Sequence, residues 1–300
     1  MKILVTGAAG FVASHLCEYL MERGHEVRAM VHYGTKNIDH LKGKLEVVRG
    51  DIRFPDECME ATEDVEAIAH LAAIIHVDRS RRYPRLFWET NVGGTMNMLE
   101  ASRRNDASFM QMSTCEVLGH IPYGKADEAY PFKQPRSPYA ASKYAAEAYC
   151  HAYNATYGLG DIARCFNITG PRQKMGVKGA VIPTWIHRVL EGEPPLIYGS
   201  GLQTRDYTDV RDVVRGLALM LESSKARGEL IHFCSGIELT IKDIAMKIIE
   251  ECNSSLSPVH VDKRPGELLR SVGDNRKALR LLGWYPVIPF EETLRDIIKG

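Results

Sequence analysis

Short apolar runs alternate with amphipathic runs through the first half of the chain. Strand-length apolar runs lie at residues 3–5, 26–31, 45–49, 67–71, 108–112 and 161–165. Between them, stretches with the helical spacing of apolar positions begin at Phe11, Asp56, Leu86 and Pro138. Strands that alternate with helices are typical of a parallel sheet covered by helices on both faces. We therefore predict a doubly wound α/β fold.

The first apolar run ends in a glycine turn, Thr6-Gly7-Ala8-Ala9-Gly10, and a helix predicted over residues 11–23 follows it. Gly7 permits the tight turn, Gly10 lets the backbone approach a pyrophosphate, and Ala13 takes the place of the usual third glycine. The N–H groups of Phe11 and Val12 at the helix start would face that anion. The turn predicts a Rossmann-type dinucleotide site, although glycine turns also join strands and helices that bind nothing.

The strands that follow carry candidates for the adenosine end of a dinucleotide. The strand over 26–31 ends without the acidic residue that binds ribose hydroxyls in NAD enzymes. His32 comes next, and it could face a 2′-phosphate or be an ordinary loop residue, so NADP stays open beside NAD. Asp51 could accept a hydrogen bond from the adenine amino group while Ile52 packs on the ring, or it could cap the next helix. The small residues of Leu71-Ala72-Ala73 would let the backbone approach the cofactor.

Two further groups carry candidate catalytic chemistry. Tyr139 and Lys143 lie four residues apart at the start of an alanine-rich helix, so they share one helix face. An ammonium beside a phenol favours the phenolate and lowers its pKa. Such a pair is commonly a surface contact, but beside a dinucleotide fold we interpret it as catalytic. Thr114, Cys115 and Glu116 follow the fifth strand, at the edge where open parallel sheets place their chemistry.

After Gly170 the pattern becomes mixed. Helices are predicted from Ile182 and Asp209, near Ile241 and Arg276, and over 290–299, with a strand at 196–198. We assign residues 1–170 to a dinucleotide-binding domain and residues 171–300 mainly to a smaller, partly interleaved substrate domain. Its candidates for clamping a diphosphate are Gln203, Arg205, Arg264 and Arg270, of which Arg270 could equally be a solvated charge.

Composition narrows the class of protein. Lys and Arg together number 38, as do Asp and Glu, so the chain has no basic footprint for nucleic acid or anionic lipid. No apolar run has the length of a membrane span, and the first residues show no signal-peptide pattern. The seven cysteines, without a C-x-x-C pair, predict reduced thiols and neither a disulfide frame nor a zinc site. We expect a cytoplasmic protein with no resident metal.

Taken together, the motifs resemble the extended short-chain dehydrogenase/reductase family over essentially the whole chain. The matching pieces are TGAAGFVASHL, GDI at 50–52, HLAA, NVGGT, the Tyr-x-x-x-Lys of 139–143, FNITGPRQ at 166–173 and GSGLQTRDYTDVRD. The resemblance implies bound NAD, a nucleotide-sugar substrate and a homodimer. It adds Asn91 to the cofactor residues and implies that Asn167, Arg205 and Arg264 bind the nucleotide diphosphate. We expect further substrate contacts from His76, Val181, Tyr198 and Gln203.

Within this family, the motifs of this sequence resemble those of two groups of dehydratases most. HVDRS at 76–80, WETN at 88–91 and STCEVLG at 113–119 resemble the dTDP-glucose 4,6-dehydratases, whose last motif reads S-T-D-E-V-Y-G. That resemblance implies that Thr114 hydrogen-bonds the sugar O4, that Glu116 removes the C5 proton, and that Cys115 replaces the aspartate that protonates the departing 6-hydroxyl. STCEV and PRSPYAASK are also similar to the UDP-N-acetylglucosamine 5,6-dehydratase of tunicamycin biosynthesis. Leu118 departs from a tyrosine common to both groups, and Val31 from the ribose-binding aspartate.

The expected function is a nucleotide-sugar dehydratase. An unperturbed thiol titrates at about 8.5 and a carboxylic acid near about 4, so Cys115 can hold a proton at neutral pH, although it could also be a small buried hydrophobe. Tyr139 would take the C4 hydroxyl proton while hydride passes to the nicotinamide, and water would then leave across C5–C6 of a UDP-linked hexose, for which we expect UDP-N-acetylglucosamine. Whether the product is a 4-keto-6-deoxy sugar or a 5,6-ene stays open.

Three other functions remain open. A UDP-hexose 4-epimerase would need only Thr114, Tyr139 and Lys143, which leaves Cys115 and Glu116 without a task. A UDP-glucuronate decarboxylase can carry a glutamate at the position of Glu116. A nucleotide-sensing regulator could keep the dinucleotide fold, but it would have no use for the Tyr139 and Lys143 pair.

Overall fold

The computed structural model describes residues 1–131, 134–176, 180–263 and 268–299. The strands are β1 (Lys2–Thr6), β2 (Glu26–Val31), β3 (Glu46–Arg49), β4 (Ala67–His70), β5 (Ser108–Thr114), β6 (Asp161–Cys165), β7 (Asn167–Thr169), β8 (Leu196–Tyr198), β9 (Thr204–Arg205), β10 (Tyr207–Asp209), β11 (Leu230–Phe233), β12 (Leu239–Thr240) and β13 (Val259–Val261). The helices are α1 (Phe11–Glu22), α2 (Pro55–Ala61), α3 (Val77–Arg82), α4 (Pro84–Phe87), α5 (Gly94–Arg104), α6 (Pro138–Tyr157), α7 (Val181–Leu190), α8 (Val210–Glu222), α9 (Ile241–Glu251), α10 (Arg276–Leu282) and α11 (Phe290–Lys299). Short 3₁₀ turns lie at Lys36–Leu41, Cys115–Leu118 and Ser224–Ala226.

Seven of these strands form one parallel sheet in the order β11-β6-β5-β4-β1-β2-β3. β1 pairs with β2 on one side and with β4 on the other, so the strand order reverses at β1. In open sheets of this kind, ligands bind in the crevice outside the carboxyl ends of the strands at such a reversal. The prediction of a doubly wound parallel sheet is confirmed. β11 is a sheet strand that the pattern of the sequence did not single out.

Apolar side chains form a core on each face of the sheet. On one face, Leu16 of α1 and Leu217 of α8 pack against side chains of β1 and β2. On the other face, α2, α5 and α6 contribute to a second cluster that includes Ile68 and Phe109 of β4 and β5. These two clusters hold rigid the strand ends from which the functional side chains project.

A third apolar cluster lies apart from the sheet. It joins α7, α9 and α11 through side chains that include Trp185, Ile244 and Leu294. β11 and α8 also come after residue 170, yet they belong to the sheet and its covering layer. Residues beyond 170 therefore contribute to both parts, and the division into two domains stays a prediction.

The stretch predicted as one helix from Leu86 to Arg103 is interrupted. α4 ends at Phe87, a π-helical turn spans Trp88–Gly93, and α5 begins at Gly94. Gly94 allows α5 to lie against Ile52, because a Cβ at residue 94 would come within 2.5 Å of the Ile52 side chain. π-Turns inside helices commonly accompany functional sites.

Candidate active site

The glycine turn after β1 is shaped by a close approach between two strand ends. Gly7 has a φ of +66°, a backbone conformation that favours glycine. A Cβ at residue 7 would lie 2.9 Å from the Ala72 Cα atom, and a Cβ on Gly10 would lie 2.9 Å from the Gly7 carbonyl oxygen. Ala72 is fixed in this position because its N–H donates to the Thr6 hydroxyl at 3.0 Å. The turn therefore has no room for a side chain at either glycine.

The start of α1 offers hydrogen-bond donors toward the same crevice. Gly10 is the N-cap residue, and no side chain caps the helix. The first N–H groups of a helix have no partner within the helix, so those of Phe11 and Val12 are available to an anion. The narrow turn, the uncapped helix and the close approach of Ala72 fit the pyrophosphate of a dinucleotide.

The last residue of β2 is Val31, which is buried in the sheet, so the end of this strand supplies no carboxylate. Asp51 lies nearby, but Arg53 donates to its carboxylate through Nε at 2.9 Å and through Nη2. His32 also lies against it, with Nε2 3.2 Å from a carboxylate oxygen of Asp51. Burial acts to raise the pKa of Asp51, but the hydrogen bonds from Arg53 outweigh it and the pKa is lowered.

The alternative interpretation of Asp51 as a helix cap is wrong. α2 begins at Pro55 with Phe54 as its N-cap residue and without a side-chain cap. The Asp51 carboxylate accepts instead from the Arg53 backbone N–H at 3.0 Å, which closes the turn after β3. Ile52 is buried against Gly94. Contacts of His32, Asp51 and Ile52 with adenosine stay predictions.

Thr114 and Glu116 lie at the carboxyl end of β5, an interior strand of the sheet. Thr114 is the last residue of the strand, and its hydroxyl accepts from the Glu116 backbone N–H at 3.3 Å. This cap begins the 3₁₀ turn that carries Cys115 and Glu116. Burial raises the pKa of Glu116, and the positive charge of Arg205 partly opposes that rise. Glu116 is thus a carboxylate with raised proton affinity, as a general base requires.

Tyr139 and Lys143 lie on the buried side of α6, near its start. Ser137 caps this helix, since its hydroxyl accepts from the Ala140 N–H at 3.1 Å. The Lys143 ammonium donates to the Met112 carbonyl oxygen of β5 at 2.7 Å. Burial lowers the pKa of Lys143 to about 8. The helix therefore fixes both side chains against the end of β5.

The expected lowering of the Tyr139 pKa is wrong in direction. Burial raises the pKa of Tyr139, the negative charge of Glu116 raises it further, and a hydrogen bond with the Thr114 side chain partly opposes the rise. The Lys143 ammonium is directed to the Met112 carbonyl and contributes no comparable lowering. The same contacts place Thr114, Glu116 and Tyr139 in one site.

Cys115 is directed away from solvent. Its residue is 3% exposed and packs in an apolar cluster with Val117, Phe166 and Cys234. Burial raises the pKa of the thiol to about 12, and the nearby charge of Glu116 acts in the same direction. The thiol is thus protonated at neutral pH, but it is a weaker acid than the unperturbed value suggests.

The predicted substrate residues fall in several places. The side-chain amide of Asn167 and its backbone N–H both donate to the Asp206 carbonyl oxygen, which brings Asn167 close to Arg205. Arg205 donates to the carbonyl oxygens of Thr204 and Leu268 at 2.8 and 2.7 Å. Gln203 donates to the Tyr198 carbonyl oxygen at 2.9 Å. Val181 is the first residue of α7, and the exposed His76 lies at the start of α3. Arg264 lies outside the described residues.

Asn91, predicted to contact the cofactor, lies in the π-helical turn, and its side chain makes three polar contacts. Its amide oxygen accepts from the Ile74 N–H at 2.9 Å, and its amide nitrogen donates to the Ile74 carbonyl and to the Ser142 hydroxyl. Ser142 in turn donates to the Tyr139 carbonyl oxygen at 2.8 Å. Ser142 was missed from the sequence, although its position between Tyr139 and Lys143 placed it on the catalytic helix.

Known proteins are similar to this chain in sequence and in fold along nearly its whole length. Residues 4–297 match the profile of the GDP-mannose 4,6 dehydratase family. The chain belongs to that family. The extended short-chain dehydrogenase/reductase resemblance is thereby confirmed, together with an enzyme class that comprises nucleotide-sugar dehydratases, epimerases and decarboxylases.

Relatives of this family member carry names for all three reactions. The dTDP-glucose 4,6-dehydratase DesIV from Streptomyces venezuelae, solved with NAD bound, is 34% identical, with a TM-score of 0.92 and coverage of 100% of this chain and 96% of that chain. The UDP-glucose 4-epimerase of Thermus thermophilus, solved with NAD, is 33% identical, with a TM-score of 0.90 and coverage of 100% and 98%. UDP-glucuronic acid decarboxylase 1 of Xenopus tropicalis is 34% identical over 99% of this chain and 71% of its own length.

Neither a membrane span nor a metal centre is found in the part of the chain that the structure describes. Within residues 1–131, 134–176, 180–263 and 268–299, no helix is both long and apolar enough to cross a membrane. In the same ranges, no three His, Cys, Asp or Glu side chains converge as metal ligands would.

Proposed function

We propose that this protein is a nucleotide-sugar dehydratase that removes water across C5–C6 of a UDP-linked hexose, with UDP-N-acetylglucosamine as the expected substrate. The observation that carries the proposal is the position of Glu116. The half-buried carboxylate of Glu116, with its raised pKa, lies in one site with Thr114 and Tyr139, beyond what oxidation and reduction at C4 require.

NAD is the cofactor, as in the DesIV and Thermus thermophilus structures. When bound, its nicotinamide accepts hydride from C4 of the sugar and returns it later in the cycle. Gly7, Gly10 and the uncapped start of α1 would hold the pyrophosphate, and the backbone after β4 would lie along the dinucleotide. Asn167 and Arg205 would bind the nucleotide diphosphate of the substrate, and the family resemblance implies the same role for Arg264.

Tyr139, Thr114 and Lys143 perform the first proton transfer. Tyr139 would take the proton of the C4 hydroxyl as a phenolate, a form that its raised pKa disfavours and that the positive charge of bound NAD would favour. Thr114 would share a hydrogen bond with that oxygen and with the phenol. Lys143, with a pKa of about 8, is mainly charged at neutral pH and stabilises negative charge at this end of α6. Proton transfers of this kind commonly contribute about 10²–10⁴-fold to rate.

Glu116 and Cys115 perform the elimination. The C4 ketone acidifies the C5 proton, and Glu116 removes it. Cys115 supplies a proton to the departing 6-hydroxyl, so that water leaves and a C5–C6 double bond forms. With a pKa of about 12 the thiol keeps its proton until the leaving oxygen develops negative charge.

The relatives alone favour no single reaction, because the dehydratase, the epimerase and the decarboxylase share nearly the same sequence identity with this chain. The decarboxylase is the second candidate, since the buried Cys115 would then be a packing residue and Glu116 would remain near the sugar. An epimerase has no use for Glu116. The choice therefore depends on what Glu116 and Cys115 each do.

Single variants separate these steps with a matched control. Glu116→Gln should stop elimination but still permit transient reduction of bound NAD by the nucleotide sugar, because oxidation at C4 precedes removal of the C5 proton. Cys115→Ala should slow loss of water more than hydride transfer. Cys234→Ala deletes another buried thiol of the same apolar cluster and should leave both steps near the wild-type rates.

Stopped-flow absorbance follows the reduced nicotinamide, and mass spectrometry follows loss of water. An equal effect of Cys115→Ala and Cys234→Ala would remove the proton-donor role from Cys115. Full dehydration by Glu116→Gln would remove the dehydratase assignment as we have drawn it.

We also propose that the protein is a homodimer built on α5 and α6. Apolar side chains are exposed on both helices, among them Met96 of α5 and Tyr149 of α6, which are 39% and 40% exposed. Small residues at Ala141 and Ala145 would permit close packing of two copies of α6 about a two-fold axis.

A further inference from the structure

The segment that connects β2 to β3 is attached to the glycine turn by the side chain of Asn37. This connection contains the 3₁₀ turn Lys36–Leu41, which we call the 36–41 turn. The Asn37 amide donates to the carbonyl oxygen of Ala9 at 3.0 Å. Ala9 lies between Gly7 and Gly10, so Asn37 contacts the backbone that would surround a pyrophosphate.

Arg172 contacts the backbone of Asn37, whose side chain contacts the glycine turn. It lies in the loop after β7, at a φ of +68°, and its Nη1 donates to the Asn37 carbonyl oxygen at 3.4 Å. Its Nη2 donates to the Glu18 carboxylate and to Nδ1 of His15, both on α1. One guanidinium thus joins the helix that follows the glycine turn, the 36–41 turn and the loop after β7.

The groups around Arg172 are suited to a fixed cation. Burial lowers the pKa of His15, so its ring is neutral near pH 7. Nε2 of His15 lies 3.0 Å from the Pro171 carbonyl oxygen and 3.2 Å from Nε of Arg172, and Nδ1 contacts Nη2 of Arg172. The Glu18 carboxylate accepts from Arg172 and also from His40, at the other end of the 36–41 turn. Both ends of the turn are therefore attached to α1, one through Arg172.

We propose that Arg172 is a positioning residue for NAD, which acts by holding Asn37 and the 36–41 turn against the glycine turn. Nothing in the predicted cofactor or substrate sites includes Arg172 or Asn37. The proposal depends on NAD binding and is independent of whether the reaction is dehydration, epimerisation or decarboxylation.

The position of the turn explains why NAD binding should respond. In doubly wound folds the adenosine ribose lies at the carboxyl end of β2, and residues 32–35 lead from there into the 36–41 turn. A turn that is already fixed before binding spares the complex the entropy of ordering it. Loss of the Arg172 contacts would loosen the turn without removing any group that touches the dinucleotide.

The experiment measures how fast bound NAD exchanges with isotope-labelled NAD in the full-length protein, followed by mass spectrometry of the retained dinucleotide. Arg172→Ala should accelerate exchange by about tenfold, the change expected for loss of a charged hydrogen bond. Arg23→Ala is the matched control, because Arg23 also joins α1 to another element, donating to Glu222 through two nitrogens at 2.7 Å, without contacting the 36–41 turn. The control should exchange within about twofold of wild type.

Two further variants distinguish positioning from general loosening of the structure. Asn37→Asp keeps the shape of the side chain and removes the donor to Ala9, so it should also accelerate exchange, and it carries the test if Arg172→Ala does not fold. The double variant should exchange no faster than the faster single variant, since both act through one contact. Nucleotide-sugar affinity should stay within about twofold of wild type in every variant.

Wild-type exchange in both Arg172→Ala and Asn37→Asp would overturn the proposal. So would equal acceleration in Arg23→Ala, or independent, multiplying effects in the double variant. A protein that binds no NAD at all would instead refute the proposed function, which keeps the two failures distinct.

Discussion

Replacement of Gly7 by alanine should cost more stability than the same replacement at Gly24, although both glycines have positive φ values. Gly7 has a φ of +66° and Gly24 one of +81°, so alanine at either site would incur roughly 1–2 kcal/mol of backbone strain. A Cβ at residue 24 would meet nothing within 4 Å, whereas one at residue 7 would lie 2.9 Å from the Ala72 Cα atom. Ala72 cannot readily retreat, because its N–H donates to Thr6.

Overpacking of this kind adds about 1–3 kcal/mol, which gives about 2–5 kcal/mol for Gly7→Ala against about 1–2 kcal/mol for Gly24→Ala. Urea unfolding of both variants measures that difference in the free energy of unfolding. NAD titration should show lost affinity only in Gly7→Ala, since Gly24 follows the far end of α1. Equal destabilisation, or unchanged NAD affinity in Gly7→Ala, would refute the reasoning about the glycine turn.

Three further predictions concern catalysis and assembly. Tyr139→Phe should lower kcat by about 10²–10⁴-fold with little change in nucleotide-sugar affinity, and near-normal turnover would exclude the tyrosine as the base. Because the buried Lys143 has a pKa of about 8 and is needed in its charged form, kcat/KM should decline above about pH 8, and a profile flat to about pH 10 would count against that role. Light scattering should report a dimer at micromolar concentration, and Tyr149→Glu should dissociate it; a monomeric wild-type protein would contradict the proposed interface.

The spacing of apolar residues and the residues at turns were sufficient to predict most of the sheet and its helices. The glycine turn, the strand ends and the Tyr139–Lys143 spacing are local features, and each depends on a few adjacent residues. β11 was missed because it has only four residues. It lies at the edge of the sheet, where its pairing with β6 joins segments far apart in the sequence. The apolar spacing over 86–103 did not show the π-turn at Trp88–Gly93, and the contact of the next residue, Gly94, with Ile52 joins residues far apart in the sequence.

The protonation of the site was harder to predict than its composition. Sequence spacing placed Tyr139 and Lys143 together, but it did not reveal that the ammonium is directed to Met112 or that Glu116 acts on the phenol. The thiol of Cys115 was assigned an ordinary pKa because its burial depends on Phe166 and Cys234, which come from distant parts of the sequence. Arg172 and Asn37 escaped notice for the same reason, since their contacts join three separate segments.

Incubation of the purified protein with UDP-N-acetylglucosamine, followed by mass spectrometry of the nucleotide sugar, tests the central claim most directly. We predict a product lighter by one water. In D₂O, a 4-keto-6-deoxy product should carry solvent deuterium at C5, while a 5,6-ene has no C5 hydrogen to label. A product of unchanged mass inverted at C4, or loss of carbon dioxide from UDP-glucuronate without dehydration of any UDP-hexose, would contradict the account.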